Sequence, residues 1–187
     1  MEEFSYQFKI PKERIAILIG KEGDIKRKVE EVTHTKINVD SKEGDVTITG
    51  TDGLQLYDAR EVIRAIGRGF NPDIALQLLH VDTALEIIDI RDFSGKSINT
   101  LVRLKGRVIG KEGKSRHQIE KLTDTAISVY GKTIAIVGSV EDVAIARRAV
   151  ESLLTGSPHS SVYTFLEKQR RIRRRRQFEA QDKSLWK

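Results

Sequence analysis

Two stretches of this 187-residue chain carry the same five residues, Ile-Gly-Lys-Glu-Gly, at Ile19–Gly23 and again at Ile109–Gly113. Glycine at both ends of so short a turn permits φ > 0 and a close approach of backbone to a ligand. A helix that starts where the turn ends points its free N–H groups and positive dipole end outward, and so forms a site for an anion such as phosphate. Lys21 and Lys111 add a cation beside each site. Lys26, Arg27, Lys114 and Arg116 come within the next turn, and Arg107 precedes the second copy. Glu22 and Glu112 look out of place in a phosphate clamp. In the first turn of the following helix, however, a carboxylate favours the dipole and can tilt away from the ligand. The candidate phosphate-binding residues are therefore Gly20, Lys21, Glu22, Gly23, Lys26 and Arg27 in one copy. In the other they are Arg107, Gly110, Lys111, Glu112, Gly113, Lys114 and Arg116.

The elements that position these residues repeat as well. Leu18–Val39 matches Val108–Val129 without a gap: Val29 with Ile119, Val32 with Leu122, Thr33 and Thr35 with Thr123 and Thr125. Agreement of register over this length marks two copies of one structural unit. After each second glycine, apolar residues recur at helical spacing (Ile25, Val29, Val32; Ile119, Leu122), and Ile25, Val29, Ile119 and Leu122 are expected in the core. The pattern then switches to alternation, giving strand, turn and strand in "KINV…DVTITG" and "AISVYG…KTIAIVG". An amphipathic helix succeeds each pair, at Asp52–Gly67 and Val140–Gly156, and an alternating strand ("FSYQFKI", "ALEIIDI") plus a short helix precedes each Gly-x-x-Gly. Each unit reads β-α-α-β-β-α. The fold class is α+β, in two tandem units: residues 1–81 with a helical connector in "GRGFNPDIALQLLH", residues 82–158, and an Arg-rich tail over residues 159–187.

Charge supports a polyanionic partner. The net charge of +6 comes wholly from Glu167–Arg176, and the rest of the chain sums to zero. Yet Lys9–Lys28 holds seven cations against three acids, and Arg103–Lys121 seven against two. Such local patches steer a polyanion more than total charge does. Arg170, Arg171, Arg173 and Arg174 belong to a run of six arginines in seven residues. They read as a solvated tail or as a helix lying along phosphates, and their mutual repulsion predicts a segment that stays unstructured until a polyanion neutralises it, with no base specificity.

Other chemistries find little support. Cysteine is absent, the four histidines have no metal-ligand spacing, and no carboxylates pair convincingly, so neither metal, cofactor nor catalysis is expected. "GRVIGKE" places its glycines one residue too close for a phosphate-binding Walker loop and lacks the following Ser or Thr; "SGKS" has Ile90 where the leading glycine belongs. No apolar run approaches the ~20 residues of a membrane span, and the acidic start "MEEFSYQF" is unlike a secretory leader, so the expected location is cytoplasmic.

A helix, a Gly-x-x-Gly turn and a second helix beside a three-stranded sheet resemble a type I KH domain, whose loop clamps the backbone of about four nucleotides of single-stranded RNA. Lys26 and Arg116 stand where ordinary KH modules carry an apolar residue. With the Thr-x-Thr helix ends and "AIGRGFNPDIALQLL" before "LEIIDI", they resemble the archaeal Dim-two, or partner-of-Nob-one, group of ribosome-assembly proteins, which is related to the KRR-one proteins. The resemblance covers Phe4 to Phe178. It implies a non-enzymatic factor that binds 16S-type small-subunit rRNA or its precursor near the 3′ end. The implied partners are other assembly factors, among them a PIN-domain endonuclease, and a translation initiation factor subunit. The alternatives are a KH-based adaptor for such a protein and, less favoured, an RNA-processing enzyme. Eukaryotic relatives lose the first Gly-x-x-Gly, whereas Gly20 and Gly23 are intact here.

Overall fold

The computed structural model describes residues 4–185; the first three residues of the acidic start and the last two of the Arg-rich segment lie outside it. The first unit runs β1 (Phe4–Lys9), α1 (Lys12–Ile19), α2 (Asp24–Thr33), β2 (Lys36–Val39), β3 (Asp45–Gly50) and α3 (Gly53–Gly67). A connector of α4 (Pro72–Ala75) and a 3-10 turn (Leu76–Leu79) leads to the second unit. That unit comprises β4 (Thr83–Asp89), α5 (Arg91–Ser94), α6 (Ile98–Ile109), α7 (Lys114–Thr123), β5 (Ala126–Tyr130), β6 (Thr133–Ser139) and α8 (Val140–Leu154). The Arg-rich segment is a single helix, α9 (His159–Leu185).

Both sheets are antiparallel with matching orders, β1-β3-β2 and β4-β6-β5. The copies also share their side-chain detail. Thr33 and Thr123 each donate to the carbonyl four residues back and meet the hydroxyl of Thr35 or Thr125 at 2.8 Å, so the Thr-x-Thr pairs close a helix and open a strand as the sequence implied. Asp52 caps α3 and Ser139 caps α8 through their side-chain oxygens.

The sheets differ in what covers them. In β3 only alternate residues are buried, and the face with Thr47 and Thr49 is polar, whereas β6 is buried from Thr133 through Val137. Ile134 and Ile136 enter the core of the second unit, while Ala135 and Val137 join the core of the first, beside Leu85, Ile87 and Ala126. The run "IAIV" is thus apolar on both faces because the connector's 3-10 turn packs on the outer side of the second sheet, where Ala135 and Val137 join the first core. Ser128 donates to the Arg68 carbonyl at 2.8 Å, and the Tyr130 hydroxyl donates to Glu13, holding that carboxyl below the usual range.

The arginine run corrects the sequence expectation of an unstructured segment. Val162 and Leu166 are buried against α7 and α8. Arg173 reaches Asp142 and, at 2.6 Å, Asp124; Arg175 pairs with Glu179 and Arg176 with Glu141. Apolar anchoring and acids four residues on or across the fold offset the repulsion that sequence spacing alone suggests.

Candidate nucleic-acid interface

Each Gly-x-x-Gly joins two helices almost without a loop. Gly20 and Gly110 have φ of 75° and 73°, and a Cβ on either would stand 2.9 Å from the Ile25 nitrogen or 2.8 Å from that of Ser115. Only glycine fits both the dihedral and the approach. Gly23 and Gly113 also take positive φ but face open space; for Gly113 no heavy atom lies within 4 Å of an added Cβ. Glu22 and Glu112 sit between them in the left-handed region, at φ of 55° and 54°. This corrects their expected placement. They precede the helices instead of occupying the first turns, where the dipole would favour a carboxylate.

The residues just beyond the two loops differ. In the first copy Asp24 opens α2, and its Oδ1 accepts the Ile25 N–H at 2.7 Å. Arg27 folds back, its Nη2 donating to the Glu22 carbonyl at 2.9 Å and its Nε to that of Gly23 at 3.3 Å. One carboxylate occupies a helix amide and one guanidinium ties down the loop. In the second copy the aligned residues are Lys114 and His117, and no side chain accepts from the first amides of α7 among the described residues. Lys111 and Lys114 are exposed, Lys114 lying 3.5 Å from Glu112. The buried hydroxyl of Ser115 beside this loop has no hydrogen-bond partner among the described residues. The second helix N-terminus therefore stays open and basic, as an anion site requires.

Behind each loop, α2 and α7 are stitched to the edge strand. Glu30 accepts the Ile37 N–H at 2.7 Å and Glu120 that of Ile127 at 2.8 Å, while Lys26 and Arg116 approach the same carboxylates at 3.8 Å. The cations that replace the usual apolar residue thus stand over the strand edge, balanced by an acid one turn on.

Two predicted residues have other work. Arg107 donates from Nε to the Leu153 carbonyl at 3.0 Å and from Nη2 to that of Ser157 at 2.6 Å, tying α6 to the end of α8. Arg14 makes the corresponding bonds to Ile66 and Phe70 in the first unit. Arg173 is largely covered by its ion pairs. Helix ends and carboxylates that converge only in the fold engage both side chains within the protein. By contrast Arg170, Arg171 and Arg174 line a cleft between α7 and α9 with Gln118 and Lys121, beyond the second loop along α7.

Sequence reasoning missed the exposed Ile98 and Val102. Their four-residue spacing puts them on the face of α6 that continues through open Gly106 toward Ile109 and the loop. The signal was present as an apolar pair on the helix preceding the glycines.

Comparison with known proteins agrees with this geometry. The KH domain model matches residues 5–65, and that of the eukaryotic-type KH domain (KH-domain type I), in its PNO1 second-domain form, matches residues 84–171, reaching into α9. A KH domain-containing protein of Methanocaldococcus jannaschii is 51% identical over 183 residues, covering 96% of this chain and 78% of its own. The pre-rRNA-processing protein PNO1 of Coccidioides immitis is 33% identical over 131 residues, 68% of this chain and 51% of that protein. Among solved structures, aDim2p from the Pyrococcus horikoshii a/eIF2alpha–aDim2p–rRNA complex superposes with a TM-score of 0.84 at 44% identity, covering 91% of this chain and 96% of that one. Two KH units in tandem, the duplicated loop and relatives that share nearly the whole chain lead to one conclusion: this chain belongs to the Dim2/PNO1 family of KH-domain proteins.

Proposed function

We propose that this chain binds single-stranded small-subunit rRNA near its 3′ end, mainly through its second KH unit, and positions processing factors there without catalysing a reaction. The observation that carries this reading is the open N-terminus of α7, flanked by Lys111 and Lys114 and free of an internal carboxylate on its first amides. A phosphate at Gly110–Gly113 meets backbone N–H groups and two cations. Bases extending from it meet the apolar face of α6 on one side and Arg116 on the other. Arg170, Arg171 and Arg174 add phosphate contacts without base readout. The rRNA bound by the P. horikoshii relative supports the ligand class, and the a/eIF2alpha in the same complex supports a translation factor as partner. A PIN-domain endonuclease is the second partner of this reading. In it residues 1–81 and 82–158 form the two units, with α9 seated on the second. In this reading the protein acts in the cytoplasm on assembling subunits; no described helix is long and apolar enough to cross a membrane.

The test measures binding to short single strands tiled along the small-subunit rRNA, with crosslinked nucleotides mapped. Tight binding is expected near the 3′ end. Replacing Lys111 and Glu112 with two aspartates is expected to weaken it at least tenfold, about 1.4 kcal/mol. Unchanged binding by the folded variant overturns the clamp. Incubation with rRNA and a divalent metal addresses catalysis: cleavage abolished by one carboxylate substitution would make the protein an enzyme.

A further inference from the structure

A second surface lies away from the two loops. Of the eleven large hydrophobic side chains exposed among the described residues, Leu54, Tyr57, Val81 and Val140 line one groove of about 520 Å³ between the start of α3 and the start of β4. Phe4 and Tyr6 are exposed nearby: Arg60 lies over both Tyr6 and Tyr57, at 5.1 and 5.0 Å from their ring centres. More than half of the exposed large apolar residues thus gather in one region, well beyond the scattered single residues ordinary on a surface.

The most prominent of them is held rigidly. Val81 is 90% exposed, on a turn whose next residue, Asp82, has a φ of 68°. The Thr83 hydroxyl bonds to the carbonyls of Gln77 and His80, and the Val140 N–H donates to the Asp82 carbonyl at 3.0 Å. An aliphatic side chain on a pinned turn is presented to a partner at little cost in ordering.

The charge of the groove selects that partner. Asp58, Glu61, Asp82 and Glu86 line it, with no lysine or arginine, in a chain of net charge +6. Glu61 pairs with Arg60 and Arg64, and Glu86 with Arg147, but Asp58 and Asp82 have no cation partner among the described residues. Burial, and then the neighbouring Asp52, push the Asp58 carboxyl up. RNA is disfavoured by such a rim, and neither Gly-x-x-Gly loop contributes to the lining.

We propose that this groove docks a protein segment presenting aliphatic or aromatic side chains flanked by lysine or arginine. The inference rests on the recruiting half of the proposed function, but its test needs no RNA, so either reading can fail alone.

The test titrates the full chain with an 18-residue amphipathic helix of leucine and lysine, and with its leucine–glutamate counterpart, tracking amide shifts by NMR. Binding of the lysine peptide with shifts centred on α3 and residues 80–86 is expected. The exposed substitutions Leu54→Ser and Val81→Ser together should weaken it at least tenfold while RNA affinity stays within twofold. Equal binding of both peptides, equal binding by the double variant, or shifts elsewhere would overturn the proposal. So would loss of RNA affinity in the double variant, which would make the groove an RNA surface. Self-association of the chain abolished by the double variant would make the occupant a second copy, again overturning it.

Discussion

The two Gly-Lys-Glu-Gly loops have the same sequence and nearly the same backbone, yet their surroundings give them different capacities. After the first, Asp24 takes a helix amide and Arg27 takes two loop carbonyls. After the second, Lys114 stands where Asp24 does, and the amides remain open. A helix N-terminus binds one anion well, and a carboxylate of the chain itself competes for it. A second contrast lies behind the loops. Leu122 is buried because α9 packs on α7, whereas its counterpart Val32 is 54% exposed because, among the described residues, nothing packs on α2 in the same way. Identical motifs thus become an open clamp on a reinforced unit and a self-capped loop on a bare one. The motif sets the backbone, and residues outside it decide what the backbone is free to bind.

The strongest way to break this comparison is to remove the reinforcement. Leu166→Ala is expected to destabilise the protein by about 3 kcal/mol, through lost burial and the cavity left behind. Urea unfolding measures it, and amide exchange should quicken first in α7 and α8. A loss below about 1 kcal/mol would mean that α9 rests on the unit loosely.

Next comes the latch. Arg173→Ala leaves Asp142 partly buried without its cation and should cost about 2 kcal/mol, less than the loss of a fully buried partner. The same unfolding assay reads it. Asp124→Ala, which removes a mostly exposed carboxylate, should cost far less, and equal costs would show that the pair with Asp142 contributes little.

Exchanging the residues after the loops tests the clamps themselves. Lys114→Asp should lower RNA affinity by about tenfold, or 1.4 kcal/mol. Asp24→Lys should raise the first unit's share, seen as stronger crosslinking to α2. If Lys114→Asp binds normally and Asp24→Lys gains nothing, the open amides are not what separates the copies.

The smallest effect expected is at Val32. Val32→Ala should change stability by less than about 0.5 kcal/mol, as for an exposed position, whereas Leu122→Ala should cost several times more. Equal losses would show that α9 does not distinguish the two helices.

Much of this protein was legible in its sequence because local rules govern it. The register match of Leu18–Val39 with Val108–Val129, the glycine spacing and the switch from helical to alternating apolar residues led to both β-α-α-β-β-α units and their loops, though not to the additional turn of helix α5 in the second. Strand "KINV" is observed as Lys36–Val39, and the helix read from Asp52 begins at Gly53 because Asp52 is its cap. The two-sided burial of β6, which the sequence offers only as an alternating strand, comes from what covers it in the fold.

Contacts between residues distant in the chain were not legible. Arg107 and Arg173 look like their neighbours in a basic run; only the fold brings the Leu153 and Ser157 carbonyls to one and Asp124 and Asp142 to the other. The arginine run reads as a repelling tail until Val162 and Leu166 are seen buried. Backbone propensity, glycine requirement and apolar period act over a few residues, so the sequence alone determined the elements, their duplication and the phosphate-binding turns. Burial and charge pairing are set by whichever residues meet across the chain. The tertiary structure therefore decided which loop stays open, which arginines stay free, and which apolar residues are left facing solvent.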